Sequence, residues 1–204
     1  MSGLSGELLD LTLEHLLLVL VSLAIAIAIA LPAGVLLTRR PGWRVWLLGF
    51  ANVMQTIPSL ALFGFLIPVP LIGGIGKRTA IVALVLYALL PILRNTLAGI
   101  LGVDPAVRES AVAMGMTGRQ LLWRVEMPLA ARTILAGVRI ATVTTIGTAT
   151  IAAAIGGGGL GVFIFRGIAS VDTKQILAGA IPAAFMALGA DAVLGWFERK
   201  FSPA

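Results

Sequence analysis

The sequence predicts an all-α membrane protein, and three observations carry that reading. The chain of 204 residues is 59% hydrophobic and 12% charged, with a mean hydropathy of +1.04. Soluble domains carry about 25% charged residues. A bilayer core of about 30 Å takes about 20 mostly apolar helical residues to cross. Five stretches meet that length, approximately 14–37, 46–69, 79–101, 133–155 and 175–197. These are long unbroken runs rather than short alternating strands, which excludes a closed β-barrel.

The first span follows an acidic tail (Glu7, Asp10) and carries His15, the sole histidine, read as a headgroup-level residue near the outer interface. It ends on Pro32, Gly34 and Arg39-Arg40, a stop-transfer pattern before the turn Pro41-Gly42. With no positive leader and a run long enough to span, it is expected to be retained rather than cleaved. Trp43 and Trp46 suit the interfacial aromatic belt at the start of the second span.

That second span carries Asn52, Gln55, Thr56, Pro58 and Ser59. The four polar residues fall at i, i+3, i+4 and i+7, one helical face. Two readings stay open: a polar passage opened by a break at Pro58, or hydrogen bonds between helices. Pro68, Pro70 and a Gly-rich outer loop lead to Lys77-Arg78. The third span holds Tyr87, Pro91, Arg94 and Asn95. Tyr87, the single tyrosine, offers either a cation–π face for a quaternary ammonium or a packed ring with a bonded hydroxyl.

The fourth span is rich in Gly137, Thr142, Thr144, Thr145, Gly147 and Thr148. Small residues let helices approach in lipid, so this face is expected to meet protein. The run Gly156–Gly159 lacks the Lys of a phosphate loop and reads as a tight turn or gate at the outer mouth. The fifth span contains Pro182 and Asp191 and ends Glu198-Arg199-Lys200. Without an internal repeat or linker, residues 1–204 read as a single transmembrane domain.

Charge sets the orientation. With the N-terminus outside, nine cations (Arg39, Arg40, Arg44, Arg108, Arg119, Arg124, Arg132, Arg199, Lys200) face the cytoplasm and four (Lys77, Arg78, Arg166, Lys174) face out. That is the positive-inside pattern for an N-out, C-in chain, so the net charge of +6 reports topology rather than a nucleic-acid partner. The absence of cysteine excludes disulfides and thiolate metal sites.

Arg94, Arg139 and Asp191 fall inside spans, where a charge is costly unless paired or in a wet cavity. An ion pair of Asp191 with Arg139 or Arg94 is expected. No catalytic constellation or metal cluster is apparent, so the chain is not expected to be an enzyme or to hold a cofactor. Five helices enclose a polar path poorly, which points to a dimer of identical or related chains. A stand-alone channel or secondary transporter would need relay residues, and Asp191 is the single intramembrane carboxylate; an inverted repeat is also missing.

The polar interruption between the third and fourth spans, approximately 104–130, is the segment that narrows the function. Glu109-Ser110-Ala111 is followed after three residues by Gly115, then Met116-Thr117, and nine residues beyond the glycine come Val125, Met127 and Pro128. This spacing resembles the EAA motif of ATP-binding-cassette importer permeases, with Ser110, Val125 and Met127 as departures. The strings Gln55–Leu60, Leu90–Thr96 and Ile155–Gly161 are similar to the osmoprotectant branch, whose permeases import glycine betaine, carnitine, choline or related compounds.

The resemblance implies a type I importer permease (MetI-like) fold in the bacterial plasma (inner) membrane. The loop would form a coupling helix docked on a cytoplasmic ATPase dimer, which binds the ATP and Mg. A second permease chain completes the assembly, homo- or heterodimeric, with an extracytoplasmic binding protein expected to be separate. In this picture Gly115 breaks the helix without Cβ strain, and Pro128 stops or restarts it at the membrane return. The alternative cargo is another small zwitterion, such as methionine. The alternative for the loop is an amphipathic helix lying on the headgroups.

Overall fold

The computed structural model describes residues 3–201. The elements in order are α1 (Gly3–Arg39), α2 (Pro41–Thr56), α3 (Ser59–Leu66), α4 (Lys77–Leu101), α5 (Pro105–Ala113) and α6 (Gly118–Leu121). A π-helical turn (Leu122–Glu126), α7 (Met127–Ala149), a 3₁₀ turn (Thr150–Ile155), α8 (Gly161–Ser170) and α9 (Thr173–Lys200) follow. Among the described residues every regular element is helical, as lipid requires of an open chain.

Four helices are long and apolar enough to cross a membrane, and α2 with α3 forms a fifth, bent crossing. Ion pairs identify the ends. Lys77 Nζ lies 2.7 Å from Glu14, and Arg166 lies 2.8 Å from Glu7, at the end where α1 begins. Arg39, where α1 stops, reaches Glu126 at the foot of α7 at 2.5 Å. The Gly76 amide donates to the Ile155 carbonyl, so the loop after α3 returns to the outer end. The alternation agrees with five crossings.

Three boundaries differ from the sequence reading. The second span is not one helix: α2 and α3 meet at 105°. Proline clashes with a helical preceding residue, and Ile57 is accordingly extended at φ −67°, ψ 127°. Ser59 therefore leaves the helical face shared by Asn52, Gln55 and Thr56. The fourth span begins deeper in the loop, because helix continues from Gly118 to Ile155. Pro128 neither stops nor restarts it, sitting in the first turn of α7 directly after the π turn. The short apolar helix α8 lies within a stretch the sequence reading left as outer loop.

Helix α4 is the centre: 67% of its apolar stretch is buried, against 11% for α9. Its neighbours approach where side chains are smallest. A Cβ on Gly34 of α1 would stand 2.7 Å from Thr96, and one on Gly99 would meet the Ala130 carbonyl at 3.1 Å. A Cβ on Gly137 of α7 would collide with Asn95 and lie 2.8 Å from the Pro91 carbonyl. Ile92 and Leu93 are fully buried in this part of α4, and Leu18, Phe63 and Leu84 are fully buried elsewhere in the same core. Gly137, Thr142 and Thr145 of α7 thus pack on protein, as composition suggested, whereas Thr144 and Gly147 are exposed, with nothing within 4 Å of a Cβ at Gly147.

Overpacking such a crossing costs about 1–3 kcal/mol. Gly137→Leu is expected to destabilise the detergent-purified protein by about that amount, read as a lower unfolding midpoint. Gly49→Ala, on α2 with nothing within 4 Å of its Cβ, is expected to leave it unchanged or slightly raised.

Candidate functional site

The loop predicted to couple is built as a capped helical hairpin. Asp104 caps α5, its carboxylate accepting from the Ala106 amide at 2.8 Å with Pro105 in the first helical position, a favourable start. The helix ends at Gly115, where φ is +80°. The Gly115 amide donates to Val112 O and the Met116 amide to Ala111 O. This pair of bonds is a Schellman cap, whose left-handed residue favours glycine. Thr117 and Gln120 then form a reciprocal capping box that starts α6.

Glu109 and Ser110 face outward on α5 and Ala111 is buried; the Ser110 hydroxyl donates to Ala106 O at 2.8 Å. Val107, Val112 and Met114 project exposed, Met114 at 72%. Val125 and Met127 are half-buried and Pro128 is exposed. Val107 and Met114, seven residues apart, share one face, while Val112 lies about 140° from Val107 around the helix, so α5 is a short capped helix with exposed apolar side chains on more than one side.

The polar residues of the second and third spans converge on the α2–α3 bend. Pro91 has no N–H, which leaves the Tyr87 carbonyl without its helical donor. Gln55 Nε2 supplies one at 3.2 Å. The Tyr87 hydroxyl donates in turn to the Ile57 carbonyl at the bend. Arg94 Nη2 donates to Asn52 Oδ1 at 2.6 Å, while Thr56 bonds back to Val53 O. Tyr87 thereby pins α2 to α4 through both its backbone and its side chain.

Of the two arginines considered for Asp191, Arg139 takes it, in a bidentate pair with Nε–Oδ1 at 2.6 Å and Nη2–Oδ2 at 2.7 Å. Arg94 belongs to Asn52 instead. Arg139 Nη1 also reaches Glu198 at 3.2 Å, and Arg132 lies 3.8 Å from Glu198. Gly195 makes room for the guanidinium, which would stand 3.0 Å from a Cβ there. This ladder joins α7 to α9 beside an open cleft of about 430 Å³, lined also by Ala136, Ile140, Val143 and Thr144.

Residues 16–204 match the model of the binding-protein-dependent transport system inner membrane component family. The chain belongs to that family. It is therefore a multi-pass permease subunit of the inner membrane. Among its relatives, the choline transport system permease protein OpuBB of Bacillus subtilis (strain 168) is 45% identical over 199 residues, covering 98% of this chain and 90% of that one. The glycine betaine/carnitine/choline transport system permease protein OpuCB of the same organism is 46% identical, covering 97% and 90%. The carnitine transport permease protein OpuCD of Listeria monocytogenes is 50% identical over 85% of this chain and 77% of its own. Among solved structures, the inward-facing MetNI methionine ABC transporter aligns over 100% of both chains with a TM-score of 0.86 at 25% identity.

Two residues of this permease escaped the sequence reading. His15 lies towards the outer end, next to the Glu14 that pairs with Lys77, but is wholly buried in protein rather than facing the headgroups. Its Nε2 lies 3.1 Å from the Ile146 carbonyl, and its ring packs beneath Gly159. Glu126, within the Val-x-Met-Pro end of the motif, is 1% exposed and paired with two arginines. A carboxylate flanked by Arg124 and lying near apolar residues reads from sequence as an exposed loop charge.

The left-handed region costs a residue with a Cβ about 1–2 kcal/mol. Gly115→Ala is expected to speed amide exchange of residues 110–116 accordingly, while Gly118→Ala, with open space around it, leaves the loop unchanged. For the ladder, removing one partner strands the other. Arg139→Gln and Asp191→Asn are each expected to reduce the yield of monodisperse protein, and the double substitution to be no worse than the worse single one.

Proposed function

We propose that this permease is the transmembrane subunit of an ATP-driven importer of quaternary-amine osmoprotectants, glycine betaine, carnitine or choline. The coupling role is carried by the Schellman-capped helix ending at Gly115, which holds Val107, Val112 and Met114 outward as a rigid knob. Glu109, Ser110, Ala111, Met116, Thr117, Val125, Met127 and Pro128 build and anchor that knob against a cleft of a cytoplasmic ATPase, which binds the ATP and Mg. ATP-driven closure of the ATPase dimer moves two such knobs, one on each chain of a permease dimer, and a separate binding protein delivers substrate from outside.

The substrate class is supported by the relatives named for choline, carnitine and glycine betaine at 45–50% identity. A methionine cargo has the fold likeness behind it at 25%. The passage is assigned to the bend, where Gln55 meets Tyr87, with Asn52 and Thr56 on the same face of α2 and Ser59 past the bend at the start of α3. Arg94 is exposed within a span, and a charge left so in lipid is costly. A second chain or a water-filled path against this face relieves that cost.

Uptake of radiolabelled glycine betaine into proteoliposomes holding this chain, its partner permease, ATPase and binding protein tests the proposal. Uptake should require internal ATP and should be abolished by Gly115→Pro, since proline cannot adopt φ +80°. Uptake indifferent to ATP would return the channel reading.

A further inference from the structure

We propose that Glu126 is a positioning residue that fastens the coupling helix to the membrane helices, so that α5, α1, α4 and the foot of α7 move as one body. The inference rests on the importer reading above and adds a transmission element outside the motif's defining positions.

The need for such a fastener follows from α5 itself. The helix spans Pro105–Ala113 and buries Ala111 alone among its residues. Packing on that scale cannot transmit a push from a docked partner. Helix α5 joins α4 through residues 102–104 and α6 through residues 114–117, each including a glycine. Left to these joints, it would swivel rather than carry load.

Glu126 supplies the missing tie. Its carboxylate is 1% exposed and both oxygens are engaged by cations from different helices. Oε2 lies 2.5 Å from Arg39, the last residue of α1. Oε1 lies 3.3 Å from Arg108 on α5. Arg108 also donates through Nη2 to the Ile100 carbonyl in the last turn of α4. One carboxylate at the foot of α7 therefore gathers three other helices. Arg39 donates a charge-assisted hydrogen bond to this buried carboxylate, and Arg108 pairs with it by charge, its Nε buried and making no hydrogen bond of its own.

The π turn explains how Glu126 reaches that position. The Met127 amide bonds to Leu122 O, five residues back. In a regular α-helix, residues 121 and 126 would point about 140° apart. A π turn brings i and i+5 onto one face, and Leu121 and Glu126 are indeed both buried. The extra residue turns the carboxylate inward, where it meets Arg39 and Arg108.

The test uses the assembled transporter in proteoliposomes, with substrate uptake and binding-protein-stimulated ATP hydrolysis measured side by side. Glu126→Gln keeps the shape and removes the charge. Uptake per ATP hydrolysed should fall about tenfold while hydrolysis stays within about twofold, because coupling and not the ATPase is impaired. Arg39→Gln should act in the same direction, and the double variant should be no worse than the worse single one. Glu126→Asp, which keeps the charge, should recover part of the ratio. A ratio unchanged in Glu126→Gln, or uptake and hydrolysis falling in proportion in a fully assembled complex, would overturn the proposal.

A second measurement covers a variant that fails to assemble. The chain has no cysteine, so spin labels at Leu36→Cys on α1 and Ala106→Cys on α5 report the clamp directly. In an otherwise natural chain, one narrow distance shared by the nucleotide-free and vanadate-trapped states supports the clamp, and distances that differ between them refute it. Should the natural transporter show no ATP-dependent uptake, the importer reading has failed by itself. The nucleotide-free label distance still judges the clamp, by broadening in Glu126→Gln or, against it, remaining unchanged.

Discussion

The close approach of α4 to α1 and α7 is the constraint on which the remaining structure depends. Lipid offers no hydrophobic drive between helices, so contact must come from fit. Gly34 meets Thr96, Gly99 meets Ala130 and Thr133, and Gly137 meets Pro91 and Asn95. All three contacts involve residues 91–99 of α4, towards its cytoplasmic end. This leaves α4 enclosed and hands the lipid- or partner-facing surface to α9 and α2. It also brings the foot of α7 within reach of the last turn of α1, without which Arg39 could not meet Glu126.

Close packing creates a second demand, that every polar group find a partner inside the protein. Pro91 shows how the chain meets it. The ring removes one donor, and the freed Tyr87 carbonyl becomes an acceptor for Gln55. The Tyr87 hydroxyl returns the favour to Ile57 across the bend. At the outer end, Glu14 accepts from Lys77 and from the Gly159 amide, so the glycine turn is tied to α1. Polar residues that resemble a pathway lining in sequence also brace the scaffold around it.

Much of the loop between α4 and α7 was legible because its signals are local. Gly115 was read as a helix break, and the caps that the structure adds, Asp104 before α5 and Thr117 with Gln120 at α6, act within four residues of themselves. Glu126 was not legible. Its partners Arg39 and Arg108 lie 87 and 18 positions away by residue number, and no local rule distinguishes a buried carboxylate from a solvated one. His15 escaped for the same reason, since its acceptor Ile146 is 131 positions distant. The 105° bend was half legible: Pro58 announced a break, but its angle depends on Phe63, which α3 must carry back into the core.

The sequence by itself determined the class of protein, its crossings and their orientation, and the glycine break in the loop, because hydropathy, charge bias and local backbone freedom operate over one turn or one span. The tertiary structure alone decided which arginine takes Asp191, which helices share Glu126 and where α2 bends. Those choices depend on distances between segments far apart in the chain. Such distances are set by how closely glycine-lined helices can pack, a property of pairs of surfaces rather than of either segment alone.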